Sequence, residues 1–152
     1  MTKHEFIAAA TVAAQVSSAS SGFPPGVTAA QAALESAFGG SELARPANNY
    51  FGIKARPGGE VVELPTLEYV GGVAVRVPAR FAKYASMAEC FADRDRMIAT
   101  LPAYQQARAV AADPEAFIGA LARHWATDPA YAEKVLCVYR THRLDVLDNK
   151  TA

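Results

Sequence analysis

Val61 to Pro78, VVELPTLEYVGGVAVRVP, is the stretch of this chain that has a period of two. Val73, Val75 and Val77 alternate with Ala74, Arg76 and Pro78, and Gly71-Gly72 separates them from a first run, Val61 to Tyr69. Alternation puts every second side chain on one face of a strand, and a glycine pair supplies the positive φ that a two-residue hairpin turn needs. The stretch predicts a β-hairpin. On both sides of it the apolar residues return to helical spacing, so the fold class is α+β, mainly helical with one small sheet.

Upstream, Ser41 to Lys54 is short, irregular and rich in Asn, Pro and Gly, as polar backbone lining a cleft would be. Before it, Ala29, Ala33, Leu34 and Phe38 make a helical stripe, with Thr28 as its expected N-cap and Gly39-Gly40 as its stop. A first helix is expected from about Lys3 to Val16, where Phe6, Ile7, Ala10 and Ala14 recur. The Ser/Gly/Pro run after it, reaching Gly26, reads as a loop. Downstream, helices are expected at about 86–101, 104–111, 114–125 and 129–143. Asp113-Pro114 and Asp128-Pro129 each offer a capping acid followed by proline at the first helical position.

The 152 residues make one ordinary domain, expected over 1–152, since a core of this size buries roughly 70% of the unfolded chain's surface. With 51% hydrophobic and 20% charged residues the chain lies far from the disordered class. Lys plus Arg equals Asp plus Glu at 15 each, so no positive field invites nucleic acid or an anionic membrane. His4, His124, His142, Cys90 and Cys137 lack the short spacings of a zinc site, and neither a metal nor a cofactor is expected. The two cysteines fall in predicted helices and read as buried free thiols. Met1 to Ser20 is Ala-rich but broken by Thr11, Gln15, Ser17 and Ser18, which is not the apolar core of a signal peptide. No stretch approaches the roughly 20 apolar residues that span a bilayer, so membrane insertion is not expected and export would use another route.

Glu35 lies near the carboxyl end of the second predicted helix, beside Leu34, Phe38 and several alanines. The negative end of the helix dipole and apolar neighbours both disfavour its charged form. A carboxyl kept protonated near neutral pH is what glycosidic cleavage requires, because the leaving oxygen must receive a proton.

The surrounding strings are Ala30-Gln-Ala-Ala-Leu-Glu-Ser-Ala-Phe-Gly39, Gly40-Ser-Glu-Leu-Ala44 and Ala47-Asn-Asn-Tyr-Phe-Gly-Ile-Lys54. Together they resemble the signature of the glucosaminidase-type peptidoglycan hydrolases, glycoside hydrolase family 73. That family includes autolysins, phage lysins and the hydrolase half of the flagellar rod-assembly protein. Thr66-Leu-Glu68, Phe81-Ala-Lys-Tyr84-Ala-Ser86, with Glu89 and Asp93 after it, and His124-Trp-Ala-Thr-Asp-Pro-Ala-Tyr131-Ala-Glu-Lys134 extend the likeness, which covers about 28–144 and leaves 1–27 as an N-terminal helix and loop. It implies a lysozyme-like fold with a β-lobe flanking a glycan groove. Ala82, Trp125 and His124 stand where the family usually has arginine, tyrosine and glycine, and Arg80 is two positions away on the same strand face.

The resemblance implies an endo-β-N-acetylglucosaminidase acting on peptidoglycan glycan strands, with Glu35 as acid. Glu68, two residues from Thr66 and so on the same strand face, would be a second carboxylate that activates water or steadies an oxocarbenium-like transition state. The separation of the two carboxyls would decide between retaining and inverting chemistry, and assistance by the substrate's acetamido group is a further route. Tyr131, on the family's pattern, supports the acid from the cleft. Asn48 and Asn49 either bond acetamido groups or cap their own backbone. Tyr50 and Trp125 either stack on sugar faces or pack, and Phe51 reads as core. Ser41 lacks the context of a nucleophile and reads as a helix cap. The competing readings are a muramidase or lytic transglycosylase of the same fold, and a non-catalytic glycan-binding or assembly protein. A monomer is expected, released to the wall as a phage-type lysin or delivered as a secreted effector, the latter needing an inhibitor protein.

Overall fold

The computed structural model describes residues 1–149, and residues 150–152, the end of the expected domain, lie outside the described residues. In chain order its elements are α1 (Lys3–Ser21), α2 (Pro25–Glu35), α3 (Ala44–Ala47), β1 (Val61–Val70), β2 (Val73–Ala82), α4 (Met87–Thr100), α5 (Gln105–Ala109), α6 (Pro114–Trp125), α7 (Tyr131–Thr141) and α8 (Asp145–Asp148). A two-stranded sheet set between helices is the arrangement that the change of period predicted.

The core is built around α2, whose residues from Gly26 to Ala33 are all buried. A helix apolar on every side must be enclosed, and its alanines let neighbours approach closely. Helices α1, α7 and α8 pack against it, and α4 packs on α1. Phe6 of α1, Phe91 and Ile98 of α4, Phe117 and Leu121 of α6 and Val135 of α7 fill the space between.

Several helix ends differ from expectation, some because a distant residue supplies the partner and others because a local side chain does. Helix α2 starts at Pro25, so Thr28 lies inside it rather than capping it, and the Thr28 hydroxyl donates back to the Pro24 carbonyl at 3.2 Å. Gly26 is helical, not loop. The C-terminal segment crosses there so closely that a Cβ would sit 2.1 Å from the Leu144 carbonyl oxygen, and the Gly26 amide donates to Asp148 Oδ1 at 2.6 Å. Helix α1 runs past Val16 to Ser21 because the Ser17 and Ser21 hydroxyls donate to Asp95 Oδ2 of α4, at 2.5 and 2.7 Å. Helix α2 stops at Glu35 rather than Phe38. Ser36 Oγ donates to the Ala32 carbonyl and accepts the Gly39 amide, while Ala37 and Phe38 take left-handed φ values of 50° and 55°. Asp113 caps α6 as expected, whereas Asp128 accepts the Ala130 amide and α7 begins only at Tyr131. Ser41 Oγ accepts the Ala44 amide at the start of α3, its expected role. Both cysteines are free, but Cys137 is exposed rather than buried.

The hairpin pairs Val61 with Ala82 through to Val70 with Val73. Gly71 and Gly72 both have positive φ, 58° and 81°, the geometry of a two-residue turn whose twist matches the strands. In such a turn the flanking pair is hydrogen-bonded, and bonded pairs then alternate with unbonded ones. Pro65 and Pro78, which face each other, fall on an unbonded pair. Their nitrogens point outward and no ladder bond is lost. Val62, Leu64, Thr66 and Glu68 turn inward with Val75, Val77, Ala79 and Phe81. The hairpin's base is tied to the body, the Ala55 amide donating to the Arg80 carbonyl at 2.9 Å and the Ala82 amide to the Ile53 carbonyl at 3.0 Å.

Candidate active site

Between the hairpin's inner face and the helices lies a cleft of 560 Å³. Its wall includes Glu35 at the end of α2, the segment from Phe51 to Arg56, the strand from Thr66 to Tyr69, Trp125 at the end of α6, and Tyr131 on α7.

Glu35 is the last residue of α2, half-buried, with the following segment folded over it. Gly52 has φ +70°, and a Cβ there would lie 3.5 Å from Glu35 Oε2, so glycine lets the chain turn across the carboxyl. Burial pushes the Glu35 carboxyl up to about 7; the Tyr131 hydroxyl, as a hydrogen-bond donor, opposes that rise and the charge of Glu68 adds to it. Tyr131 opens α7 and is 5% exposed. Its own hydroxyl is pushed well above the usual phenol range, by burial first and then by Glu35. On the far side that hydroxyl accepts Gln31 Nε2 at 3.1 Å.

Glu68 stands on β1 with Thr66 beside it, both lining the cleft as the spacing of two required. Lys54 Nζ donates to its Oε1 and Thr127 Oγ1 to its Oε2, each at 3.1 Å. The same Thr127 oxygen accepts the Tyr69 amide at 3.0 Å, so one side chain fastens the outer half of the hairpin to the α6–α7 loop. Trp125 lines the cleft with Nε1 donating to the Phe51 carbonyl at 3.3 Å. Its ring rests edge-on against Phe51, which is core as expected and also touches the cleft floor.

Three sequence candidates lie elsewhere. Asn49 is 1% exposed; its amide donates to the Ile53 and Ala82 carbonyls and its oxygen accepts the Phe51 and Ile53 amides. That side chain has no capacity left for an acetamido group. Asn48 takes the left-handed C-cap position of α3 and donates to the Tyr84 carbonyl. Tyr50 packs on Phe6 and Phe91, away from the cleft, with its hydroxyl on Asn48 Oδ1. Arg80 is exposed on the hairpin's outer face; among the cations that line the cleft is Arg56, whose guanidinium bonds the buried Asp93 together with Arg96 and Tyr84. His124 is exposed and does not line the cleft.

Sequence reasoning missed Lys54, Thr127, Gln31 and Arg94. Lys54 and Thr127 are exposed and carry no local signal. Gln31 did carry one, as a polar side chain four residues before Glu35 on an alanine-rich helix, where both face one side. Arg94 stood between Asp93 and Asp95, and all three are buried. Among the described residues no group of three metal-ligating side chains converges, and no helix is long and apolar enough to cross a membrane.

Residues 11–144 match the glucosaminidase family, described as mannosyl-glycoprotein endo-beta-N-acetylglucosaminidase, so the likeness starts within α1 rather than at residue 28. The chain is 34% identical over 137 residues to peptidoglycan hydrolase FlgJ of Salmonella typhimurium, covering 86% of this chain and 43% of the relative. It is 33% identical over 129 residues to exo-glucosaminidase LytG of Bacillus subtilis, covering 82% of this chain and 46% of the relative. It thus spans less than half the length of these relatives. A crystal structure of a peptidoglycan hydrolase mutant from Sphingomonas sp. A1 superposes with a TM-score of 0.82 at 34% identity, covering 94% of this chain and 96% of that one. The helical body, the hairpin lobe, the cleft between them and the match along most of its length agree: the chain belongs to the glucosaminidase family of glycoside hydrolases, with its lysozyme-like fold.

Proposed function

We propose that the protein is an endo-β-N-acetylglucosaminidase that hydrolyses the β-1,4 bond after N-acetylglucosamine in peptidoglycan glycan strands. The observation that carries the reading is that Glu35 and Glu68 line one cleft from different elements, one at the end of a helix and one on the hairpin. With its carboxyl held near about 7, Glu35 keeps a proton to give the leaving oxygen in neutral solution. Glu68, fixed by Lys54 and Thr127, faces the same space as the group that activates water or balances developing positive charge. Trp125 offers a flat apolar face to a sugar ring. The relatives' names, peptidoglycan hydrolase and exo-glucosaminidase, support the substrate class.

The test is clearing of purified cell walls by Glu35→Gln, which keeps the side chain's shape and removes the transferable proton. The expected loss is roughly a hundredfold to ten-thousandfold, as for removal of a general acid. A rate within about threefold of the parent would overturn the assignment. The digested glycan, reduced with borohydride, is expected to end in glucosaminitol on strands of mixed length. Muramicitol, or a 1,6-anhydro end that resists reduction, would reassign the bond or the reaction. Single sugars released from strand ends alone would make the enzyme exo-acting. We further propose action as a monomer, delivery to the wall by phage-type release or dedicated secretion, and a dedicated inhibitor if the chain is a secreted effector.

A further inference from the structure

Behind Tyr131 the core contains a continuous polar chain that the hydrolytic scheme does not use. Arg94 of α4 is 0% exposed. Its NH1 donates to Asp95 Oδ1 at 2.7 Å and to Thr28 Oγ1 at 2.8 Å, and its Nε and NH2 both donate to Gln31 Oε1, at 3.0 and 2.9 Å. Gln31 Nε2 then donates to the Tyr131 hydroxyl oxygen. Burying a guanidinium is costly, and here four of its five N–H groups meet acceptors, two of them sharing Gln31 Oε1.

The direction of each bond follows from which groups can donate. A guanidinium only donates, so the oxygen of the Gln31 amide must face Arg94 and its NH₂ must face Tyr131. A tyrosine hydroxyl has one proton. With Gln31 already donating to its oxygen, that proton is left for the other side, where Glu35 lies. We propose that Arg94 and Gln31 are positioning residues that set the direction of the Tyr131 hydroxyl, so that its proton always points at Glu35. A fixed donor there orients the carboxyl and stabilises the carboxylate left after the proton is given up. It also holds Glu35 below the value that burial alone would impose, so that the acid can be reloaded near neutral pH.

This inference rests on Glu35 being the acid. The charged or titratable groups that line the cleft with Glu35 are Tyr131 and Lys134 on α7, Glu68 and Tyr69 on β1, Lys54 and Arg56 after Gly52, Tyr104 before α5 and Asp128 before α7. The diagnostic variant, Gln31→Glu, leaves all of them in place. A carboxylate at position 31 still pairs with Arg94 but has no N–H to offer, so the Tyr131 hydroxyl must turn and donate to it. The rate of wall clearing is measured from about pH 4 to about pH 9, and the fall on the alkaline side is expected to move up by about one pH unit. Tyr131→Phe removes the same donor and is expected to move the limb alike, while the double variant Gln31→Glu/Tyr131→Phe adds little. A shift from Gln31→Glu that persists in full in the Tyr131→Phe background would mean direct charge repulsion and overturn the proposal. Arg94→Lys, still only a donor, is expected to leave the limb in place. Should Gln31→Glu not fold, Arg94→Met/Asp95→Asn removes the buried pair together and frees the amide to flip, with a smaller shift of the same sign expected. An unmoved limb in Gln31→Glu, or in Arg94→Met/Asp95→Asn where Gln31→Glu does not fold, overturns the proposal, provided Glu35→Gln is inactive. An active Glu35→Gln would instead overturn the acid assignment beneath it.

Discussion

At Glu35 and Asn49 the same physical question, what a buried polar group is bonded to, leads to opposite roles. Burial raises the Glu35 carboxyl from its ordinary 4.5 to about 7, so the folded chain holds this proton more tightly than the unfolded chain does. Below its ordinary value both states are protonated and the residue does not affect the balance. As pH climbs towards about 7 the unfolded chain releases its proton first, and the folded state loses stability relative to it. Glu35→Gln is therefore expected to gain about 2 kcal/mol in urea unfolding at about pH 8 compared with about pH 4. A gain independent of pH would contradict the raised value. Asn49 is instead satisfied by four backbone partners. Asn49→Ala is expected to cost about 2–4 kcal/mol of stability while leaving the clearing rate per folded molecule within about threefold of the parent. Intact stability with a raised KM would return Asn49 to the substrate. The sequence placed Glu35, Glu68, Thr66 and Tyr131 in the cleft because their spacing, or the family's pattern, carries a direction. It left Asn48, Asn49, Tyr50 and Trp125 open, because an amide that bonds its own backbone and one that bonds a ligand look alike in sequence, as do a ring that packs and a ring that stacks on a sugar.

The elements themselves were mostly legible, and their ends were not. Val61 to Ala82 announced a hairpin through its alternation and its glycine pair, both local signals. Thr28 misled because its hydroxyl has the chemistry of a cap, while its partner Arg94 is 66 residues away in sequence. The serines after Val16 read as loop for the same reason, with Asp95 supplying the acceptor from α4. The attachment of the hairpin's outer half to the α6–α7 loop depends on one hydroxyl, that of Thr127. Thr127→Val keeps the shape and removes both bonds. Amide exchange at Tyr69 is expected to quicken about tenfold or more and clearing to slow about threefold to tenfold, because Glu68 loses one of the donors that hold it. Unchanged exchange at Tyr69 would show that the outer hairpin is held by its own ladder.

For the molecule as a whole, composition already excluded a large positive field, and the described residues gather no metal-ligand cluster. Clearing activity is expected to survive EDTA undiminished, since two carboxyls and water suffice for glycoside hydrolysis. Loss on chelation with recovery on adding a divalent ion would contradict this. The central position of α2 was not read from the sequence. Its run of alanines gives a weak amphipathic signal, and only the packing of α1, α7 and α8 around it shows that it is enclosed on all sides. One helix thus carries the Glu35 carboxyl at its end and the core along its length.

The facing prolines of the hairpin have a consequence for how copies of this protein meet one another. A sheet of two strands is all edge, and its outer end also exposes Leu67, Val70 and Val73. Exposed apolar strands with free amides invite a neighbouring chain to continue the ladder, the first step towards aggregates and fibres. At Pro65 and Pro78 the outward nitrogens carry no hydrogen, so an incoming strand meets a missing donor midway along either edge. The lobe can keep its outer end open to solvent, and molecules crowded together at high concentration find no unbroken row of donors to pair with.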